Sequence, residues 1–513
     1  MEAYNINEVL DEFSAARSHF NLLIDCLSSD ETASAAHGDV EQIIKDKGFE
    51  VLRRLFQGHL DLRAAREPRL DAVRGKDGVL RTHRVSGCTR PLESYFGEVT
   101  VSRMRYGYPG FDSLFPLDSA LNLPPGKYSH GLQKVLGDES AKASFDEAVS
   151  VVDKMTGGYV PNRQAQNLVC DIAVDFDAFN EKKQLEGPED TEALLVMSAD
   201  GKGVVMREES LREATRQAAE KERVESEGKK SARLEPGQKK NRKRMSTVTA
   251  IYTVKPYVRT PEEVMSVLEN KEEDSSKEHR ARPRPTNKRV AASLKKAPRQ
   301  VIDELFADAK HRDPERRRQW CVVVDGDGKQ LRHIKQAAKN IEADVTIVID
   351  IVHVSEYLWK AAYCFYDVGS DEAQEWVSDK MLEILKGNAG QVAAGMRRSA
   401  TMLNYCGEQR KAIDKCARYL LSKKQRMQYD KYLAAGLPIG NGVIEGACRY
   451  LVKDRMEITG ARWGLEHAEA ILKIRALRTN DLIDEYWDFH QKKERQRHHA
   501  SKYASGPELK VIK

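Results

Sequence analysis

Two short apolar runs, Trp320-Cys-Val-Val-Val and Val345-Thr-Ile-Val-Ile, constrain the fold of this chain more than any other feature. Each is rich in β-branched side chains and bounded by polar or glycine-containing stretches, which is the pattern of a strand. Residues 329–341 between them keep helical periodicity, and the segment from Pro298 to Ala309 before them does too. Strands separated by helices at this spacing imply an α/β sheet with crossover connections. Two earlier strands belong to the same pattern: Ala193-Leu-Leu-Val-Met-Ser-Ala, which reads as buried, and Ser246-Thr-Val-Thr-Ala-Ile-Tyr-Thr-Val.

The rest of the chain divides by composition. Residues 1–68 are helical, and 69–128 form a small β-rich segment containing Gly97-Glu-Val-Thr-Val-Ser-Arg-Met-Arg-Tyr. Residues 129–185 read as helix, a Thr156-Gly-Gly-Tyr break, and a second helix near Pro161, a favourable first-turn position. That outline fits a DNA-binding helix-turn-helix and equally an ordinary helical hairpin. The α/β core opens at 186–354, interrupted by a charged, nearly core-less insertion at 207–244 and a similar polar stretch at 268–296. Residues 355–436 are helical without a strand signal, helices return at 437–487, and 488–513 reads as a frayed polar tail.

At 513 residues there is room for three or four such units, on roughly 100–200 residues each. No apolar run reaches the ~18 residues of a membrane span, and the N-terminus has no secretory pattern. The eight cysteines form no Cys-x-x-Cys pair, which argues against structural zinc and disulfides. These features imply a cytoplasmic protein without a membrane partner. The net charge of +5 leaves 84 basic residues nearly offset by 79 acidic ones, so only local basic clusters carry weight.

Three carboxylates sit at the ends of regular elements: Asp200 after the first buried run, Asp325 after Val324, and Glu445 near the start of a helix with Asn441 as its expected cap. Such a set can hold two divalent ions for phosphoryl transfer on nucleic acid. Each aspartate precedes a glycine, so a plain Asp-Gly turn accounts for either alone, and Asp327 and Asp350 compete with Asp325. Ile444, Ala447, Cys448 and Leu451 form an apolar stripe that puts Glu445, Arg449 and Lys453 on the neighbouring face. Asp350 and His353, three apart, suit a hydrogen-bonded pair of either structural or catalytic use. Phosphate-neutralising candidates are Lys239, Lys240, Arg242, Lys243 and Arg244, with the stretch from Arg312 to Arg318.

Taken together, these residues resemble the bacterial insertion-sequence DDE transposases of the Kra type, within the Mutator-like group. The resemblance covers roughly 130–485 and rests on ordered motifs: Ser198-Ala-Asp-Gly-Lys-Gly, Lys243-Arg-Met with Arg259-Thr-Pro-Glu, Arg312-Asp-Pro, Val324-Asp-Gly-Asp-Gly-Lys-Gln, Asp350-Ile-Val-His-Val-Ser-Glu-Tyr-Leu-Trp, Gly440-Asn-Gly-Val-Ile-Glu-Gly, and Thr459-Gly-Ala-Arg-Trp. It implies an RNase H-like catalytic core, a mixed sheet flanked by helices and interrupted by an all-helical insertion. Position by position it implies Asp200, Asp325 and Glu445 as catalytic metal ligands, and matches Asp350 and His353 to an Asp-x-x-His element. It adds Arg462 and Trp463 to the DNA-contacting set. The implied cofactor is Mg²⁺, two ions, with Mn²⁺ able to substitute. The implied partners are double-stranded DNA, as element terminal repeats and target, and further copies of the chain as a homo-oligomer on DNA at the bacterial nucleoid. Some relatives carry a cysteine pair ahead of the helix-turn-helix; the matching region from Arg105 to Asp118 has none, so no zinc is expected. Alternatives from other classes are an RNase H-like nuclease that does not join strands and an inactive, transposase-derived DNA-binding protein.

Overall fold

The computed structural model describes residues 12–184, 187–226, 241–269, 281–458 and 460–504. The chain divides into two units, one of Met1–Phe179 with Asp481–Lys513 and one of Asn180–Asn480.

The second unit is built on a five-stranded mixed sheet. Its strands are β1 (Leu194–Val205), β2 (Lys243–Val254), β3 (Thr286–Ser293), β4 (Trp320–Val324) and β5 (Val345–Ile349), in the order β5-β4-β1-β2-β3. β1, β2 and β3 pair antiparallel as a meander, while β4 and β5 run parallel to β1. The parallel pairings are made through helices: α1 (Pro298–Arg312) precedes β4, and α2 (Gly328–Asn340) links β4 to β5. All five residues of β4 are buried, as an unbroken apolar run in the middle of a parallel set must be.

β3 departs from the expectation of a solvated stretch at 268–296. It occupies the sheet edge, where the Thr286-Asn-Lys-Arg half faces solvent and only the Val290-Ala-Ala-Ser half packs inward. Polarity on one half of an edge strand is what keeps it from pairing with another chain. The edge is closed instead by α6 (Leu465–Thr479) and the residue after it. Asn480 donates Nδ2–H to Val290 O at 2.9 Å and accepts the Val290 N–H at 2.9 Å. Buried Glu469 on α6 accepts from Ser293 Oγ and the Leu294 and Lys295 amides.

After β5, α3 (Ile351–Ala362) opens a helical block that continues through Asp371–Leu385, Ala389–Met402, α4 (Gly407–Lys423) and Tyr429–Ala434. The chain then returns to the sheet with α5 (Gly442–Ala447), which widens into one turn of π-helix over Cys448–Lys453. In the charged insertion, Glu213–Ser226 is helical; residues 227–240 lie outside the described set.

The first unit carries helices Ser14–Leu27 and His37–Ala65, and an antiparallel sheet of His83–Ser94, Gly97–Tyr108 and Phe111–Leu114. Helices His130–Lys142, Phe145–Met155 and Asn162–Ile172 share a core of Leu132, Leu136, Val152, Ala165 and Leu168. Phe145–Met155 begins with a Ser144/Glu147 capping box, and Pro161 immediately precedes the next helix. The expected frayed tail is a helix, Ile483–His498, with Tyr486, Trp487 and His490 buried. Beyond Trp487 its polar composition misled because the buried side chain there, His490, is itself polar: Asp175 accepts from His490 Nδ1 at 2.8 Å and from Arg497.

Candidate metal centre

Register alone gathers carboxylates at one edge of the sheet. Ser198 on β1 lies opposite Val323 on β4, and Val324 lies opposite Ile349 on β5. Two residues past the first pair stand Asp200 and Asp325; one residue past the second stands Asp350 beside Asp325. Asp200, Asp325 and Asp350 therefore stand in a row where the parallel pairing ends, toward the carboxyl ends of β4 and β5, the side on which open α/β sheets bind ligands, while β1 itself continues to Val205.

Each member is fixed differently. Asp200 is still inside β1, opposite Val248 of β2. Asp325 ends β4, and Gly326 follows with φ +90°, where an added Cβ would stand 3.0 Å from Ile349 Cδ1. The turn requires glycine on both counts. Asp325 Oδ1 accepts the Asp327 N–H at 2.8 Å, and Tyr419 of α4 donates its hydroxyl to the Asp325 carbonyl at 2.7 Å. Asp327 is occupied elsewhere, since its carboxylate caps α2 by accepting the Lys329 and Gln330 amides at 2.9 Å.

Asp350 caps α3 through the Val352 N–H and accepts the Asn441 N–H at 3.3 Å. It is buried, and desolvation, with a smaller contribution from the Glu445 charge, pushes its carboxyl up to about 6. The expected Asp350–His353 hydrogen bond is not formed. His353 Nδ1 instead lies 3.8 Å from the Glu356 carboxylate, and its ring packs edge-on against Tyr357 and Tyr419. Asp350 turns its oxygens back to the helix amides, as an N-cap aspartate does.

Glu445 is exposed on α5. Ile444, Ala447, Cys448 and Leu451 are buried, as the stripe predicts. Asn441 precedes the helix, but its side chain makes no capping bond; its buried Oδ1 has no hydrogen-bond partner. Arg449 lies 3.8 Å from Asp454 and not beside Glu445. Cys448 donates its thiol to Asp200 Oδ2 at 3.3 Å, joining the last helix directly to β1. Burial first, then the Asp200 and Glu445 charges, drive that thiol well above its usual range, so it stays protonated. Glu445 thus acts electrostatically on both Cys448 and Asp350.

Tyr419 carries no periodic or motif signal in the sequence, and Cys448 and Asn441 are marked there only as a stripe member and an expected cap, not as neighbours of the carboxylates; Asp327, followed by Gly-Lys-Gln at a helix start, carries a capping signal. Among the described residues, Asp200, Asp325, Asp350 and Glu445 have no lysine or arginine within ion-pair distance. Four unneutralised carboxylates, with a buried amide oxygen left over at Asn441, form an all-oxygen donor set suited to hard divalent cations. The three expected ligands are not drawn around a single ion, however. The one described group with three ligand atoms within 4.8 Å is Asp175, His490 and Glu494, in the other unit.

The expected DNA-contacting side chains separate into three groups. Arg242, Arg449, Lys453 and Arg462 are exposed, and Lys243 is exposed with Glu457 at 3.3 Å. Arg244 is committed to the Leu294 and Ser210 carbonyls, and Trp463 is buried, donating to Met456 O at 3.0 Å while its backbone bridges Met206. Those two hold the fold and do not face a ligand, because the cation and ring that suggested DNA contact are spent on buried partners. Arg312 and Arg318 likewise pair with Glu189. Lys239 and Lys240 lie outside the described residues, as does Thr459.

No family model matches the chain, and no curated protein matches it. Among solved structures it is similar to the Drosophila P element transposase strand transfer complex, at 11% identity over 70% of this chain and 80% of that one. The TM-score is 0.23, and a likeness of that size carries no argument.

Proposed function

We propose that the chain is a DDE transposase of a bacterial insertion sequence, of the Kra type, with an RNase H-like core. The observation that carries this reading is the row of unneutralised carboxylates just past the last parallel pairing of β1 with β4, bonded through Asp200 and Cys448 to the helix that bears Glu445. The sheet order, with an antiparallel β1–β3 meander extended by two parallel strands, supports the same core.

Asp200, Asp325 and Glu445 would hold two Mg²⁺ ions, with Mn²⁺ able to substitute. Divalent ions held there would supply activation of a water or a DNA 3′-hydroxyl and stabilisation of the leaving oxygen. Tyr419 fixes the backbone of Asp325, and the protonated Cys448 thiol orients Asp200 without adding charge. No serine or tyrosine nucleophile is required. Asp350 is the second reading for the middle ligand, favoured by its electrostatic contact with Glu445. In the first unit, helix Asn162–Ile172 exposes Arg163, Gln164 and Asn167 near its start, donors suited to base edges in a major groove. Double-stranded DNA, as element ends and target, is the proposed substrate, bound by several copies of the chain.

Incubating the full chain with element-end duplexes and Mg²⁺ tests the reading. Cleaved and joined products support it. Cleavage without joining makes the protein a nuclease, and binding without cleavage makes it an inactive DNA-binding derivative.

A further inference from the structure

A cavity of about 570 Å³ opens next to the start of the helix that carries Glu445, within the size range of small-ligand sites. Gly440, Gly442 and Val443, which flank and begin the helix carrying Glu445, form one wall. The opposite side brings Lys255, Arg259, Arg282 and Arg284 together, and no carboxylate lines the cavity.

This arrangement is built and not incidental. The Tyr257 amide bonds to Gly436 O at 2.9 Å, and the Arg259 amide to Leu433 O at 3.3 Å, which clips the β2 exit to the chain entering α5. Gly436 has φ +71°, and a Cβ there would lie 2.7 Å from Tyr257 N, so the close approach depends on glycine. The Arg259 guanidinium donates to Leu437 O at 2.8 Å and to Tyr257 O at 3.3 Å, and sits 5.4 Å from the Tyr257 ring centroid. Its remaining N–H groups have no acceptor among the described residues. Burial first, then the neighbouring Arg282 charge, lowers the Arg259 pKa. Two like charges converging on a half-buried cavity are unfavourable until an anion lies between them.

Val254, Pro438 and Val443 add apolar lining against which a flat ring can pack. We propose that this cavity is a nucleotide subsite, taking a phosphate between Arg259 and Arg282 and the attached base against that apolar wall. The inference rests on the DNA-processing reading for its location, since the subsite shares α5 with Glu445. The nucleoside phosphate has two sources: a free mononucleotide, or an unpaired nucleotide of a DNA strand.

Both are tested with the full chain in EDTA, where no cleavage occurs. One arm titrates 2′-deoxyadenosine 5′-monophosphate, with inorganic phosphate as comparison; the other follows 2-aminopurine fluorescence from a duplex carrying one unpaired 2-aminopurine. Arg282→Ala is the main variant, because Arg282 is exposed and makes no side-chain hydrogen bond or ion pair among the described residues. Arg259→Lys keeps the charge and loses the planar fork. The expected result is nucleotide binding in at least one arm, about tenfold weaker in Arg282→Ala, the loss of one good phosphate contact. The arm that responds identifies the source. Binding in neither arm, binding indifferent to Arg282, or inorganic phosphate bound as tightly as the nucleotide overturns the proposal. Strand cleavage by a chain that binds no nucleotide removes this inference alone. Nucleotide binding by a chain that never cleaves removes the transposase reading alone.

Discussion

The Cys448 thiol donates to Asp200 Oδ2 at 3.3 Å, so the first carboxylate of the sheet and the helix bearing Glu445 are joined by one hydrogen bond from a neutral donor. A protonated thiol positions Asp200 without competing for a cation. Cys448→Ala is expected to lower stability by about 1–2 kcal/mol, from one lost hydrogen bond and a small void. It should retain Mg²⁺-dependent cleavage within about tenfold. Thermal melts and a cleavage assay check both, and complete loss of cleavage in a folded variant would give the thiol a direct role the account denies it.

Tyr419 reaches from the helical block to the Asp325 carbonyl, and Tyr429 does the same to Ile349. Tyr419→Phe removes one hydroxyl and leaves a polar acceptor unpaired, at about 1–2 kcal/mol. Because the bond orients the strand end bearing Asp325, the variant should lose cleavage rate while DNA affinity is unchanged. A matched drop in both would mean that Tyr419 serves the fold only.

Asp350 titrates near 6 in the folded chain against 3.8 for the ordinary side chain. The folded state holds the proton more tightly, so the fold is favoured at low pH and loses stability as pH rises from about 4 through 6. Asp350→Asn keeps an acceptor for the Val352 and Asn441 amides without the titration. Relative to wild type, it should therefore gain on the order of 1–3 kcal/mol between pH 4.5 and 8. Denaturation midpoints that track each other across that range would rule this out.

Glu469 is buried and satisfies Ser293 Oγ and two amides at the end of β3. Glu469→Ala strands those donors, and is expected to cost about 2–4 kcal/mol. Glu469→Gln should recover part of that loss, because one amide oxygen still accepts. Urea unfolding of the two variants, ranked against wild type, decides the order.

The sequence made β4 and β5 legible because unbroken β-branched runs have few other uses, and their bounds match the structure residue for residue. β3 was not legible, since its first half, Thr286-Asn-Lys-Arg, has the composition of a solvated linker, and the partners that hold its second half, Asn480 and Glu469, come from far along the chain. The last helix was hidden similarly: Asp175, His490 and Arg497 satisfy one another inside the first unit, and buried polar partners look like surface in one dimension. Asp325 could be read from its strand end, whereas Asp200, expected to close β1, lies inside a strand that continues to Val205, because Gly201–Val205 keep pairing with β2. The thiol that holds Asp200 and the hydroxyl that holds Asp325 could not be read, because neither spacing nor periodicity links positions so distant. Trp463 and Arg244 show the converse, residues whose chemistry suggested DNA but which the fold engages, Trp463 by burial and Arg244 by its bonds to the Leu294 and Ser210 carbonyls.

The most direct measurement compares strand cleavage and joining by the wild-type chain and by Asp200→Ala, Asp325→Ala, Asp350→Asn and Glu445→Ala, on element-end duplexes with Mg²⁺ and with EDTA. The account predicts Mg²⁺-dependent products from wild type and from Asp350→Asn. It predicts a loss of at least about a thousandfold in the other three, consistent with removing a metal ligand, with DNA binding retained. Cleavage that survives in Asp325→Ala and disappears in Asp350→Asn would replace the middle ligand, and cleavage that survives in folded Glu445→Ala would contradict the triad itself.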